Sequence, residues 1–184
     1  GDDKLSIVTE DGLLYCFGVK EMEAIWHDES RKQASQTSRR DRRGVRRILR
    51  AAGTKEGYCL LLGISDDSLV KAMLAESDFH IIAIERDEDA VDSLRREMDK
   101  TGAYGRRISI LPGEISSLQL PPYLANLIVA EDFDSGDLEE SKEYVEKIYH
   151  SLRPYGGTAW FAVADRNAKT VAELISSFGL TGSR

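Results

Sequence analysis

The fold is decided by residues 57–87, which read GYCLLLGISDDSLVKAMLAESDFHIIAIERD. Their first apolar run, 58–62, meets Gly63, and a short polar loop then leads into residues with helical spacing. A second apolar run, 80–84, ends at the acid Glu85. This order predicts a strand, a loop, a helix, a second strand and a carboxylate, which is the first half of a nucleotide-binding α/β unit.

The same alternation continues to the end of the chain. It predicts strands and helices in turn, with strands near 58–62, 80–85, 107–111, 124–130 and 157–164, and helices near 67–77, 87–101, 137–152 and 167–178. Strands that alternate with helices favour an α/β fold with a parallel sheet and right-handed crossovers. Strands such as CLLLG and LIVA are continuously apolar, as strands buried on both faces should be.

The first 52 residues have a different pattern. Two alternating runs within 4–18 flank Asp11-Gly12 and predict a β-hairpin. We expect a helix around 19–28, a flexible linker, and a further helix over 42–52 that Asp41 caps and Gly53 ends. The predicted organisation is a hairpin extension, a helical arginine-rich linker and an α/β domain, with bounds 1–18, 19–52 and 53–184.

Composition excludes several classes of protein. The 184 residues are 41% hydrophobic and 31% charged, which is typical of a soluble globular domain. No apolar stretch approaches the ~20 residues of a membrane span, so we predict no membrane contact and take the cytoplasm as the default location. Cys16, Cys59 and the three histidines have no metal-ligand spacing. We expect no metal, and two buried free thiols rather than a disulfide.

Positive charge is concentrated before the α/β domain, although the net charge is −7. Between residues 31 and 50 the only acid is Asp41, whereas the basic residues are Arg31, Lys32, Arg39, Arg40, Arg42, Arg43, Arg46, Arg47 and Arg50. Such a block can follow the phosphates of a nucleic acid, or it can be a solvated segment that pairs with the protein's own acidic face. The second interpretation is favoured, because no aromatic residues are interleaved to stack bases.

The candidate site is the edge where the parallel strands end, since ligands of open α/β sheets bind there. Gly63 would let the backbone approach a ligand, Glu85 would bind ribose hydroxyls, and Ser65 or Asp66 would cap the next helix. Residues near Gly113 would meet a base. The predicted ligand-binding residues are Gly63, Ile64, Ser65, Glu85, Arg86, Gly113, Glu114, Ile115 and Glu131.

The loop after the first strand selects the kind of ligand. It carries Asp66 and Asp67 with no lysine or arginine beside them, and carboxylates repel a pyrophosphate. A ligand with ribose, adenine and a cationic group fits better. S-adenosylmethionine has a sulfonium and an ammonium and no phosphate.

Five motifs in order make the segment from residue 57 to about 178 resemble a class I S-adenosylmethionine-dependent methyltransferase domain. They are LLLGISDD at 60–67, IAIE at 82–85, LPGEI at 111–115, NLIVAED at 126–132 and LRPYGG at 152–157. The resemblance implies a Rossmann-like, doubly wound and mostly parallel sheet, with strand order 3-2-1-4-5 counted from the strand at 58–62. It also implies that Glu85 holds the ribose and that Glu114 and Ile115 contact adenine.

The sequence departs from that family at several points. The family has an acid where Leu61 stands and glycines where Ser65 and Asp67 stand, and its last antiparallel strand pair has no counterpart here. The N-terminal hairpin resembles a blade edge of quinoprotein-type β-propellers. Together with a first residue that is glycine, this suggests a domain excised from a larger protein.

Two functions are compatible with the resemblance. In the first, the domain binds S-adenosylmethionine or S-adenosylhomocysteine and methylates an acceptor that the sequence does not identify. A small molecule is the default acceptor, because Ala130-Glu131-Asp132-Phe133 stands where amino-methylating enzymes have Asn-Pro-Pro-aromatic. In the second, the domain has lost catalysis and serves as a binding module within a larger chain. No catalytic residue is assigned, and nucleic acid is a possible partner only through Arg39–Arg50.

Overall fold

The computed structural model describes residues 4–9, 14–18, 37–64, 66–131, 133, 138–163 and 168–177. The chain divides into two compact units, Gly1–Ser30 and Arg31–Arg184. In the first unit, β1 (Lys4–Val8) pairs antiparallel with β2 (Leu14–Gly18). This confirms the predicted hairpin strands. The Asp11-Gly12 turn and the helix expected around 19–28 lie outside the described residues.

The second unit alternates strands and helices. Its elements are α1 (Arg39–Ala52), β3 (Tyr58–Leu62), α2 (Asp67–Glu76), β4 (His80–Glu85), α3 (Glu88–Lys100), β5 (Ile108–Pro112), β6 (Leu127–Ala130), α4 (Leu138–Ser151), β7 (Thr158–Phe161) and α5 (Ala168–Ser177). Within the described residues the sheet has the order β5-β4-β3-β6-β7, and each neighbouring pair is parallel. The predicted α/β class and strand order are therefore confirmed.

The central strand β3 is buried on both faces, as its apolar run predicts. Cys59 and Leu61 face a core layer that includes Val45 and Leu49 of α1. Leu60 and Leu62 face a second layer that includes residues of α4 and α5. Because side chains alternate across a strand, one continuous apolar sequence supplies both layers.

The helix α1 begins three residues earlier than the sequence predicts. Ser38 is its N-cap: the Ser38 hydroxyl accepts a hydrogen bond from Asp41 N at 3.2 Å and donates one to Asp41 Oδ2 at 2.6 Å. The prediction that Asp41 caps this helix is therefore wrong. Asp41 lies in the first turn, where its carboxylate accepts a hydrogen bond from the hydroxyl of the capping serine. Gly53 ends the helix with φ 69°, as expected.

Both cysteines are free, but only one matches the expected burial. Cys59 is buried in β3, whereas Cys16 is exposed on β2. The prediction of two buried thiols is wrong for Cys16. No helix among the described residues has the length and apolar character that a membrane crossing requires.

Candidate functional site

Four neighbouring strands end level with one another, and backbone hydrogen bonds tie the loops that follow them to the sheet. Gly63 N donates to Ile84 O at 3.0 Å, and Gly113 N donates to Glu85 O at 2.8 Å. On the other side of β3, Glu131 N donates to Leu62 O at 2.9 Å. The described members of the predicted site therefore lie along one edge of the sheet, at the point where the strand order reverses.

The loop after β3 combines a left-handed glycine with a helix cap. Gly63 has φ 63°, a conformation that glycine adopts without the penalty of a Cβ atom. The side chain of Ile64 is buried in the core layer beside α1, so only its backbone faces the edge. Asp66 is the N-cap of α2 and accepts a hydrogen bond from Ser68 N at 2.7 Å. Asp66 is thus confirmed as a cap; Ser65 lies outside the described residues.

Both acids of this loop have partners within α2. Hydrogen bonds from Ser68 hold the pKa of Asp66 below its usual range. Asp67 forms an ion pair with Lys71, one helical turn further on, at 2.7 Å. The loop therefore presents negative charge at the start of α2, with one nearby lysine already paired to it.

Glu85 ends β4 with its side chain half-buried. One carboxylate oxygen, Oε1, accepts a hydrogen bond from Asp87 N at 3.0 Å. Asp87 itself caps α3 by accepting from Asp89 N at 2.9 Å. The turn thus fixes the Glu85 carboxylate at the strand end, and no described residue bonds its second oxygen.

An ion pair bridges the loops after β4 and β5. Arg86 Nε lies 3.1 Å from Glu114 Oε2, and both side chains are largely solvent-exposed. Gly113, just before Glu114, has φ 128°, which favours glycine. Ile115 is buried against the layer that holds α4.

The edge encloses a cavity of about 10 Å³. Five predicted site residues line it, namely Gly63, Arg86, Gly113, Glu114 and Ile115. Tyr144 of α4 also lines it, although it is not among the predicted ligand-binding residues. The centre of its ring lies 5.4 Å from that of Phe133, and the periodicity of the helix does not indicate this contact with another segment of the chain.

Glu85 and Glu131 stand at the same edge but do not line this cavity. Glu131 is half-buried directly after β6, and Asp132 lies outside the described residues. No group of three or more histidine, cysteine, aspartate or glutamate side chains among the described residues could hold a metal ion. The edge thus consists of glycine turns and carboxylates around the ion pair between Arg86 and Glu114.

Comparisons with known proteins show which proteins the chain is similar to. No protein-family model matches the sequence. A curated relative, the ribosomal RNA small subunit methyltransferase A of Bradyrhizobium sp. (strain ORS 278), is 33% identical over 98 residues. The match covers 53% of this chain and 33% of the relative, so the chain aligns with about a third of that protein's length.

Solved structures match over a larger part of the chain. A protein assigned as an S-adenosyl-L-methionine-dependent methyltransferase from Methanococcus maripaludis has a TM-score of 0.67 at 15% identity, covering 78% of both chains. A tRNA methyltransferase from Aquifex aeolicus has a TM-score of 0.61 at 13% identity, covering 95% of this chain and 79% of its own. The protein therefore has the fold of the S-adenosylmethionine-dependent methyltransferases.

Proposed function

We propose that this domain binds S-adenosylmethionine at the carboxyl edge of its sheet and transfers the methyl group to an acceptor. The observation that carries the proposal is the Glu85 carboxylate at the end of β4, set between the two left-handed glycines Gly63 and Gly113. The glycines leave room for a ligand to approach the backbone, and the carboxylate can accept hydrogen bonds from two ribose hydroxyls.

The charge of the edge suits a cationic ligand. Its described carboxylates are Asp66, Asp67, Glu85, Glu114 and Glu131, and its cations are Arg86 and Lys71, both of which already form ion pairs. An anionic pyrophosphate would meet these carboxylates at close range. A sulfonium and an ammonium would be attracted instead, so the edge favours S-adenosylmethionine over a dinucleotide.

Each part of the ligand has a proposed partner. Glu85 holds the ribose, and Glu114 with the backbone of Ile115 holds the adenine. The backbone at Gly63, Ile64 and Ser65 meets the methionine end. Because the cavity is only about 10 Å³, we expect the exposed side chains of Arg86 and Glu114 to separate when adenine enters.

The bound cofactor supplies an activated methyl group on a sulfonium. The chain's own contribution is to hold the acceptor in line with that group and to exclude water, because orientation supplies most of the rate in such transfers. An acid such as Glu131, half-buried directly after β6, or Asp132 would be available to take a proton from the acceptor. A small molecule is the default acceptor. A nucleic acid is the alternative, because two of the similar proteins are named as ribosomal RNA and tRNA methyltransferases.

Calorimetric titration with S-adenosylmethionine and S-adenosylhomocysteine tests the proposal. We expect binding by the natural protein, and a Kd at least about tenfold weaker for Glu85→Gln, because a hydrogen bond to a charged group contributes about 1.5–3 kcal/mol. Glu88→Gln is the matched control, since it removes the same charge from an exposed position three residues away. NAD⁺ should bind more weakly than S-adenosylhomocysteine to every variant.

Two results would contradict the proposal. If the natural protein gives no heat at millimolar ligand, it does not bind the cofactor, and the domain is better explained as a binding module of a larger chain. If Glu85→Gln and Glu88→Gln bind equally well, Glu85 does not hold the ribose.

A further inference from the structure

The helix α1 has one apolar face and one face rich in arginine. Val45, Ile48, Leu49 and Ala52 are buried against the sheet. The exposed arginines Arg39, Arg43, Arg46 and Arg50 recur at three- or four-residue spacing and so share the opposite face. They extend over roughly 16 Å of helix. We call these four, together with Arg42, the arginine surface.

Only part of this charge is neutralised within the protein. Arg42 and Arg46 share one carboxylate, that of Glu76 at the end of α2, and Arg46 Nε lies 2.7 Å from its Oε2. No carboxylate among the described residues forms an ion pair with Arg39, Arg43 or Arg50. The arginine surface therefore retains an excess of positive charge in a protein whose net charge is −7.

A cavity of about 520 Å³ lies against the arginine surface. Among the described residues, its lining consists of Arg39, Arg42, Arg43, Arg46 and Arg50. A second cavity, of about 410 Å³, shares Arg46 and Arg50 with the first and continues over Gly53, Thr54 and Lys55. The two together form an elongated basic path along the helix and around its end. A concave basic path concentrates anions more strongly than a flat surface does.

The chemistry of this path favours one kind of partner. Guanidinium groups match phosphate oxygens with two parallel hydrogen bonds. Every large exposed apolar residue of the described chain lies outside α1. A membrane-binding helix would insert apolar side chains, and a protein interface would centre on them. We propose that the arginine surface binds the phosphodiester backbone of a nucleic acid without reading its bases.

This surface is separate from the candidate cofactor site. The helix α2 starts beside the Gly63 loop, at the carboxyl edge of the sheet, and ends at Glu76, just before β4 begins at the opposite edge. Arg42 and Arg46 contact that far end. Nucleic-acid binding here therefore does not depend on cofactor binding, and either proposal can fail while the other holds.

Fluorescence anisotropy with two labelled RNA strands of unrelated sequence, each about 20 nucleotides long, tests the inference. The test variant is the triple substitution Arg39→Gln, Arg43→Gln and Arg50→Gln. The control triple, Arg96→Gln, Arg106→Gln and Lys169→Gln, removes the same charge from exposed positions elsewhere. Thermal unfolding of both variants checks that the fold is kept.

We expect both strands to bind the natural protein equally and to weaken steeply between about 50 and 200 mM salt. The test triple should bind at least about tenfold more weakly at the lower salt, and its plot of log K against log salt should be shallower by about 2, since each phosphate contact contributes about 0.7 for a single strand. The control triple should stay within about twofold of the natural protein.

Three results would overturn the inference. One is no binding of either RNA at low salt. Another is an equal loss in the test and control triples, which would reflect overall charge rather than this surface. The third is displacement of RNA by polyglutamate or by anionic vesicles at the same charge concentration, which would indicate an acidic protein or a lipid surface as the partner.

Discussion

At the scale of single residues, the sequence predicted that Gly63, Glu85 and Gly113 lie where strands end, and the structure has them there. Strand-terminal glycines and acids are visible in the chain itself. It did not indicate the Arg86–Glu114 ion pair or the place of Tyr144 in the cavity lining. Those contacts join residues far apart in sequence, and the packing of loops and helices against the sheet determines them. Positions at strand ends were therefore predictable, whereas the pairing of side chains across loops was not.

Gly57 shows how a single position can be fixed by its neighbours. It has φ 103°, and a Cβ atom there would collide with the amide of Asn126, whose Oδ1 accepts a hydrogen bond from Tyr58 N at 3.2 Å. We predict that Gly57→Ala lowers the free energy of unfolding by about 2–4 kcal/mol, through backbone strain and the loss of that bond. Urea unfolding followed by circular dichroism measures the change.

Gly44 is the matched control for this prediction. It lies inside α1, and no neighbouring atom lies within 4 Å of the place that a Cβ atom would occupy. Gly44→Ala should raise the free energy of unfolding by about 0.5–1 kcal/mol, since alanine is the better helix former. Equal midpoints for Gly57→Ala and the natural protein would mean that the close approach to Asn126 does not constrain the fold.

At the scale of elements, periodicity located the helices and strands of the α/β unit. The spacing of apolar residues in sequence depends on whether an element buries one of its faces or two. Periodicity also predicted α1, as a helix over 42–52, but within a helical arginine-rich linker at 19–52. In the structure α1 packs into the core through Val45 and Leu49 and is tied to α2 through Glu76. The apolar spacing of Val45, Ile48 and Leu49 was visible in the sequence, whereas the element against which that face packs was not.

The attachment of α1 to α2 has a pH dependence. Hydrogen bonds from Arg46 and Arg42 lower the pKa of Glu76 from its usual value near 4.5 to about 2. Because the pKa of this carboxyl is lower in the folded than in the unfolded protein, its ionised form stabilises the fold at pH values above the unfolded pKa. This stabilisation is lost as pH falls toward 2. We predict that the free energy of unfolding falls less steeply between about pH 5 and 2 in Glu76→Gln than in the natural protein.

The measurement is a series of urea titrations across that pH range. Glu146→Gln is the control, because it removes an exposed carboxylate from α4 that has no ion pair among the described residues. Its pH profile should parallel that of the natural protein. If Glu76→Gln gives that same profile, the two arginines do not stabilise the ionised carboxylate.

At the scale of the whole molecule, the alternation of strands and helices predicted a parallel sheet with right-handed crossovers, and the family resemblance supplied the strand order that the structure confirms. The role of the arginine block was harder to predict from the sequence. Two opposed interpretations of the arginine block were open from sequence, and the structure contains elements of both. Arg42 and Arg46 pair with Glu76, whereas Arg39, Arg43 and Arg50 face a basic cavity.

Because the two cysteines differ in burial, their rates of alkylation report how readily the central strand of the sheet becomes exposed. Cys59 lies at the centre of the sheet with no exposed surface, and burial raises the pKa of its thiol, whereas Cys16 is exposed. An alkylating reagent should therefore add one mass tag at once and the second only as fast as β3 becomes exposed. Mass spectrometry at rising urea should show the second tag accelerating with global unfolding; two rapid tags in native buffer would mean that the central strand opens on its own.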